Sequence, residues 1–449
     1  MQGLARILIV GKDADNDKKL AETLKMGDFE CSIGDISQSA AELCGPRRPD
    51  VVVLNMQSAP ARKDPETFLA LAKTLKSSTL SIHMRIMLVG TDSKFELNSS
   101  AADIDDLLIG PVNPAQICHR LSSLVRLNTM HEELVRRMNT SAKYGIDAPP
   151  AIMQPGNIDN ATVMVLGDPT QFAMIEHSLA KQATLVGAMS NKTALDYLAR
   201  RDFDAVIINA VSDIEPYVSF VNAVRHKSRL FNLPVLMLAG RDELANYDQI
   251  YKSGITDVIA KPYSSEELKL RVNLLVRESR FRDSLKEIYQ KAKHLATSDS
   301  LTGLYNRGFL LEHVSAMVTD ANRTSQGFSL AALSIGNIQA INSELGYAAG
   351  DRIIRQIGEV IGHLIRGEDL ATRYSGSKFI IALPDTRVEQ AKYAIQRING
   401  VIANTEFVVD GHYAPVMVTL NTTLEGFQLG DSAENLIERT RNVDLKAAA

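Results

Sequence analysis

Ile7-Leu8-Ile9-Val10-Gly11, Asp50-Val51-Val52-Val53-Leu54-Asn55 and Leu107-Leu108-Ile109-Gly110-Pro111 are short apolar runs, each closed by a polar residue or a glycine. The same three runs return in the same order as Val163-Met164-Val165-Leu166-Gly167, Asp204-Ala205-Val206-Ile207-Ile208-Asn209 and Val258-Ile259-Ala260-Lys261-Pro262. Such a run is how a strand buried on both faces of a parallel sheet reads, with its loop at the carboxyl end. Helical stretches such as Lys18–Met26 and Ala173–Ala180 lie between the runs. The repeat therefore predicts two successive α/β units of about 120 residues, each a doubly wound parallel sheet.

Between the units, Ser141–Asn160 carries Pro149, Pro150, Pro155 and Gly156 and reads as a linker. After the second unit the charged stretch Ser264–Ala296 predicts one long helix. Its apolar positions Leu268, Val272 and Leu275 are followed, after a one-residue slip, by Phe281, Leu285, Ile288, Ala292 and Leu295. The slip suggests a domain helix running into a short coiled-coil-like stalk, against the alternative of a helix packed on its own domain. From Ser298 the pattern changes. Strand-like runs Phe328–Ile335, Phe379–Leu383 and Pro415–Leu420 alternate with helices near Asp351–Ile365 and Val388–Ala403, which predicts an α+β domain with a largely antiparallel sheet.

The bulk numbers agree with about three domains in 449 residues. A net charge of -4 gives no basic surface for a nucleic-acid partner. Cys31, Cys44 and Cys118 are too few and too unpatterned for a disulfide framework or a zinc site. MQGLARILIV lacks a signal-peptide pattern and no apolar run approaches a bilayer span, so a cytoplasmic protein without membrane insertion is expected.

Asp299-Ser300-Leu301-Thr302-Gly303-Leu304-Tyr305-Asn306-Arg307 matches the DxLTGLxNR opening of the GGDEF diguanylate cyclase family. The two α/β units resemble response-regulator receiver domains, and the whole order resembles receiver–receiver–GGDEF response regulators. That resemblance implies a receiver-like domain over 1–140, a linker over 141–160, a second receiver-like domain over 161–280, a helical stalk over 281–297 and a GGDEF domain over 298–449.

Several positions depart from those families. Receiver phosphorylation needs a carboxylate nucleophile, an acidic pair on Mg²⁺, a hydroxyl and a lysine. In the first unit these positions hold Asn55, Gly11 with Lys12, Gly90 and Gly110; in the second, Asp168 and Lys261 persist but the acceptor is Asn209 and the hydroxyl position falls at or next to Ala239, with no Ser or Thr there. Neither unit is expected to be phosphorylated, and Asp168 with Lys261 could pair as a structural remnant. In the third domain the family's two metal carboxylates fall on Ser334 and on Ser377 of Ser375-Gly376-Ser377-Lys378-Phe379. No catalytic residue, metal or cofactor is therefore expected, and the chain is read as lacking enzymatic activity. The last residues, Glu438–Ala449, are read as lacking the family's closing helix, with Lys446 a partial match.

Other family positions persist. Asn342 and Asp351 match those that bond the guanine of GTP, although helix capping would also suit them. Arg366-Gly367-Glu368-Asp369 lies five residues before Ser375 and matches the RxxD product site, where the family binds cyclic di-GMP; Arg397 matches the secondary arginine of that site. The resemblance thus implies a cyclic di-GMP effector or adaptor, expected as a homodimer, whose receiver-like domains recruit proteins. A shared layout with a polar cell-cycle adaptor extends this to a cell pole and to a protease adaptor or substrate as partner. Two alternatives stay open: a weakly active cyclase or GTP-binding regulator, and a nucleotide-independent receiver scaffold.

Overall fold

The computed structural model describes residues 5–45, 48–77, 84–91, 103–110, 112–146, 158, 160–180, 182–211, 213–244, 247–291, 297–324, 326–409, 412 and 414–441. Residues 147–157 and 159 of the expected linker, 292–296 of the expected stalk, and Lys446 lie outside them. The chain divides into two compact units, Met1–Asn128 with Ile152–Ser284, and Thr129–Ala151 with Leu285–Ala449.

The first sheet is built from β1 (Ala5–Gly11), β2 (Phe29–Asp35), β3 (Val51–Asn55), β4 (Arg85–Thr91) and β5 (Asp106–Ile109), all parallel, in the order β2-β1-β3-β4-β5. Alternation along the central strands divides the core. Ile7, Ile9, Val51 and Val53 face α1 (Ala14–Met26) and the start of α5 (Pro114–Ala142), while Leu8, Val10, Val52 and Leu54 face α4 (Pro65–Ser77). The short helices α2 (Ala40–Cys44) and α3 (Ala59–Arg62) complete the domain.

The second domain repeats the plan. Strands β6 (Ala161–Gly167), β7 (Ala183–Ala188), β8 (Ala205–Asn209), β9 (Val235–Gly240) and β10 (Asp257–Lys261) form a parallel sheet in the order β10-β9-β8-β6-β7. It is flanked by α6 (Phe172–Leu179), α7 (Asn191–Arg200), α8 (Glu215–Arg225), α9 (Tyr247–Lys252) and α10 (Ser265–Lys291). The repeat extends to single atoms. Asp50 accepts from Arg6 N, and Asp204 from Thr162 N, both at 2.8 Å.

A buried ionic network joins the two sheets within this unit. Asp106 pairs with Arg120 Nε at 2.6 Å, and Asp257 pairs with Arg271 Nη2 at 2.5 Å. Arg271 Nη1 also reaches Asp106 Oδ1 at 3.5 Å, Arg120 Nη2 reaches Glu278 at 3.0 Å, and Gln116 donates to Asp257 Oδ1 at 3.2 Å. Buried charges persist when each has opposite charges and hydrogen bonds around it.

The third sheet combines β11 (Tyr305–Asn306), β12 (Phe328–Ile335), β13 (Leu370–Ser375), β14 (Lys378–Pro384) and β15 (Leu420–Gly426) in the order β11-β13-β14-β12-β15, antiparallel except for β11 beside β13. On one face pack α12 (Ile338–Leu345), α13 (Tyr347–Leu364) and α14 (Val388–Ala403), through Ile341, Ile353, Ile357 and Ile398 among others. On the other pack α11 (Arg307–Thr324) and α15 (Ala433–Arg441), through Phe309, Met317 and Leu436.

Two expectations need correction here. The last strand is Leu420–Gly426 rather than Pro415–Leu420, because the ladder with β12 starts at Leu420; Val416 instead forms an isolated bridge to Phe407. The polar run 420–426 suits a half-exposed edge and hides from an apolar-pattern search. A closing helix does exist: α15 ends at Arg441, where its Arg439 pairs with Asp431 at 2.5 Å. Among the described residues, no helix is long and apolar enough to cross a membrane.

Candidate functional site

At the carboxyl edge of the first sheet, Asn55 is buried and donates to Asp17 Oδ1 at 2.7 Å, while its Oδ1 accepts from Gln57 N at 3.2 Å. Asp17 comes from α1. A Cβ placed on Gly11 would stand 2.1 Å from its Oδ1, so Asp17 fills the space that a side chain at position 11 would need. Burial raises the Asp17 pKa above the usual carboxylate range, and the Asn55 hydrogen bond partly offsets this. Lys12 is turned to Asp64 at 2.5 Å, which holds that carboxyl down to about 2. Thr91, one residue past Gly90, ends β4 with a buried hydroxyl that has no partner among the described residues. Sequence reasoning missed Asp17. Its one signal was an acid on the apolar face of α1, in helical spacing with Leu20, Ala21 and Leu24.

In the second sheet, buried Asn209 donates to the Asp168 carbonyl at 3.2 Å, and its Oδ1 is buried without a partner among the described residues. Asp168 caps the following turn by accepting from Thr170 N at 2.9 Å, while Lys261 donates to the Ala210 carbonyl at 2.6 Å. The remnant pair is thus drawn apart into two local backbone roles.

The nonapeptide Asp299–Arg307 is a structural turn. Asp299 Oδ1 accepts from Thr302 N at 2.9 Å and from its hydroxyl at 2.8 Å; Asn306 Oδ1 caps α11 through Phe309 N at 2.9 Å. Arg373 of β13 closes on Asp299 at 3.2 Å. Gly303 holds φ at +66°, a conformation that costs glycine little.

The structure brings Ser334 and Ser377 together: Ser334, one residue before the end of β12, lies opposite Lys378, and Ile335 N donates to the Ser377 carbonyl at 3.3 Å. The family's metal would be Mg²⁺, which wants hard carboxylate oxygens in near-octahedral array. Two hydroxyls beside an ammonium do not fit it. Among the described residues no group of three or more His, Cys, Asp or Glu is placed to hold a metal ion.

Asn342 on α12 lies against Gly350 of α13, where a Cβ would stand 1.9 Å from its Oδ1. That oxygen is buried and has no partner among the described residues, and Asp351 follows, exposed, on α13. The two sequence-matched guanine residues are therefore neighbours at the α12–α13 junction.

Arg366–Asp369 forms a tight loop between α13 and β13. Arg366 N donates to Asp369 Oδ2 at 2.8 Å, and Asp369 N donates back to the Arg366 carbonyl at 3.2 Å. Asp369 is 5% exposed, and its Oδ1 has no partner among the described residues. Both residues line a cavity of about 300 Å³, together with Arg137, Lys286, Tyr305 and Gly367. Burial and the Glu368 charge push Asp369 up to about 7, against the pull of Arg366 and Arg137. Arg397 Nη2 donates at 2.7 Å to the Leu364 carbonyl, capping the end of α13 two residues before Arg366.

Residues 296–445 match the family model described as "Diguanylate cyclase, GGDEF domain". The "Response regulator PleD" of Caulobacter vibrioides is 24% identical over 440 residues, covering 97% of this chain and 95% of that protein. The "Diguanylate cyclase DgcP" of Pseudomonas aeruginosa is 29% identical over 175 residues, 39% of this chain and 25% of that one. Among solved structures, the GGDEF domain of DgcB from Caulobacter crescentus in complex with c-di-GMP matches at 23% identity and a TM-score of 0.33, covering 34% of this chain and 88% of that one. The family match overturns the expectation that the chain lacks enzymatic activity, since the GGDEF domain and the PleD likeness point to a diguanylate cyclase. Along nearly its whole length the chain is similar to the response regulator PleD, and residues 296–445 match the GGDEF domain of diguanylate cyclases.

Proposed function

We propose that this chain is a cyclic di-GMP-responsive regulator whose GGDEF domain binds the dinucleotide at Arg366 and Asp369. The observation that carries the reading is the buried Asp369, whose Oδ1 has no partner among the described residues, lining a cavity beside Arg366. Such an oxygen costs free energy until a donor meets it. The guanine N1–H and N2 amino edge supplies donors, and the arginine fork matches guanine O6 and N7, a pairing worth about 1–3 kcal/mol. Arg397 supports the site by holding the end of α13. The receiver-like domains, with amides at Asn55 and Asn209, serve as docking surfaces for partner proteins in the same reading.

Titration of the full chain with cyclic di-GMP in a calorimeter should show saturable heat that Arg366→Ala abolishes. No heat at tens of micromolar ligand overturns the proposal. A second reading, GTP binding at Asn342 and Asp351, is favoured by the buried Asn342 Oδ1, which has no partner among the described residues. Product formation from GTP with Mg²⁺ or Mn²⁺ tests it directly, and Asn342→Ala should reduce whatever turnover is found.

A further inference from the structure

The loop that carries Arg366 and Asp369 is held from a part of the chain that no motif links to it. Arg137, near the end of α5, is 3% exposed and donates from Nη2 to the Glu368 carbonyl at 2.7 Å, across 231 residues of sequence. Its Nε donates to Glu133 Oε1 at 2.9 Å, one helical turn earlier. Glu133 is fully buried, and Arg136 Nη1 at 2.5 Å and His313 Nε2 at 2.7 Å also lie on it. The guanidinium of Arg137 stands 5.8 Å over the Tyr305 ring, and both residues line the Arg366–Asp369 cavity, as does Lys286 of α10.

From this geometry we infer that Arg137 is a positioning residue for the dinucleotide pocket, fixing the Gly367–Glu368 backbone so that Arg366 and Asp369 present their side chains together. The inference rests on the cyclic di-GMP reading of the pocket and adds its regulation: affinity there depends on the end of α5 staying docked on α11 and on the loop. A planar fork explains the choice of arginine. One edge is locked by Glu133 while the other holds the carbonyl, and an ammonium cannot span both. The charged groups around Asp369 are Glu368, Arg366, Arg137 and Lys286, with Tyr305 beside them. Arg137 is one of the charges that favour the Asp369 carboxylate, so its removal should move the ionisation of Asp369 upward.

The test is cyclic di-GMP calorimetry on the full chain from pH 6 to pH 8, for the unaltered protein, Arg137→Gln and Arg137→Lys, with thermal melts of each. Removal of one charge-assisted hydrogen bond that orders the loop should weaken R137Q by about tenfold or more and raise the pH at which binding reaches half its maximum. R137K, which retains the charge but not the fork, should lose affinity while keeping the pH midpoint. Equal affinities in the unaltered chain and both variants overturn the inference. So does a loss in R137Q that leaves the pH midpoint unmoved, since that is the mark of a general packing defect. Should R137Q fail to fold, R137K decides: unchanged affinity there refutes the role. Absence of heat with the unaltered chain removes the reading of the pocket, and this inference falls with it.

Discussion

In the proposed dinucleotide pocket, the buried Asp369 carboxylate would set the conditions for the ligand. Its pKa of about 7 follows chiefly from burial, with Glu368 adding to it. The raised value has two consequences of opposite use. Between the ordinary carboxylate range and pH 7 the folded state holds a proton that the unfolded state has released, so stability falls as pH rises through this window and levels off above it. Binding runs the other way, because guanine donors require the carboxylate. Affinity for cyclic di-GMP should rise from pH 6 to pH 7.5, by roughly tenfold per unit below the pKa; a flat calorimetric profile would contradict this. At Asn55 the amide matters in the same manner. Asn55→Asp would set a second carboxyl 2.7 Å from the Asp17 oxygen, where two acids cannot both ionise. We expect a loss of about 1–3 kcal/mol at pH 8, smaller at pH 5, in denaturant melts. The amide at position 55 was legible in the sequence, as were Asn209, Arg366 and Asp369. The intrusion of Asp17 was not, because only packing of α1 against β1 brings a residue of the helix into the space above Gly11.

At the scale of elements, β1, β3, β6 and β8 were readable because they are almost wholly buried and so lack polar interruptions, whereas the more exposed edge strands β2 and β7 carry no such apolar run. The helices α13 and α14 showed through their apolar spacing. Strand β15 failed that search because its exposure leaves a polar composition, and pairing with β12 rather than local preference makes it a strand. The contact from α5 to the Glu368 carbonyl was hidden for a related reason: nothing in local spacing reports what a helix touches 231 residues away. The ionic network between the sheets is likewise a product of tertiary packing. Arg271 serves both Asp257 and Asp106, each buried. Arg271→Ala would leave two buried carboxylates short of charge, and should cost about 3–5 kcal/mol in equilibrium denaturation. A loss below 1 kcal/mol would show that Arg120 and Gln116 suffice.

At the scale of the molecule, a bound dinucleotide should stabilise the unit that contains the pocket. At a ligand concentration of about 100 times Kd the gain is roughly 2.7 kcal/mol, and it should appear as a rise in the melting transition that Arg366→Ala removes. The matched pairs Asp106–Arg120 and Asp257–Arg271 carry a further consequence. Each fold sets the same acid–arginine pair at the same place, and Arg271 to Asp106 with Arg120 to Glu278 ties them into a fused twin. Tethering turns what would be a bimolecular encounter into an internal one, at an effective concentration of roughly millimolar. Dilution therefore cannot part the twins, and any self-assembly of whole chains must draw on some other face, the one used in this pairing being already spent.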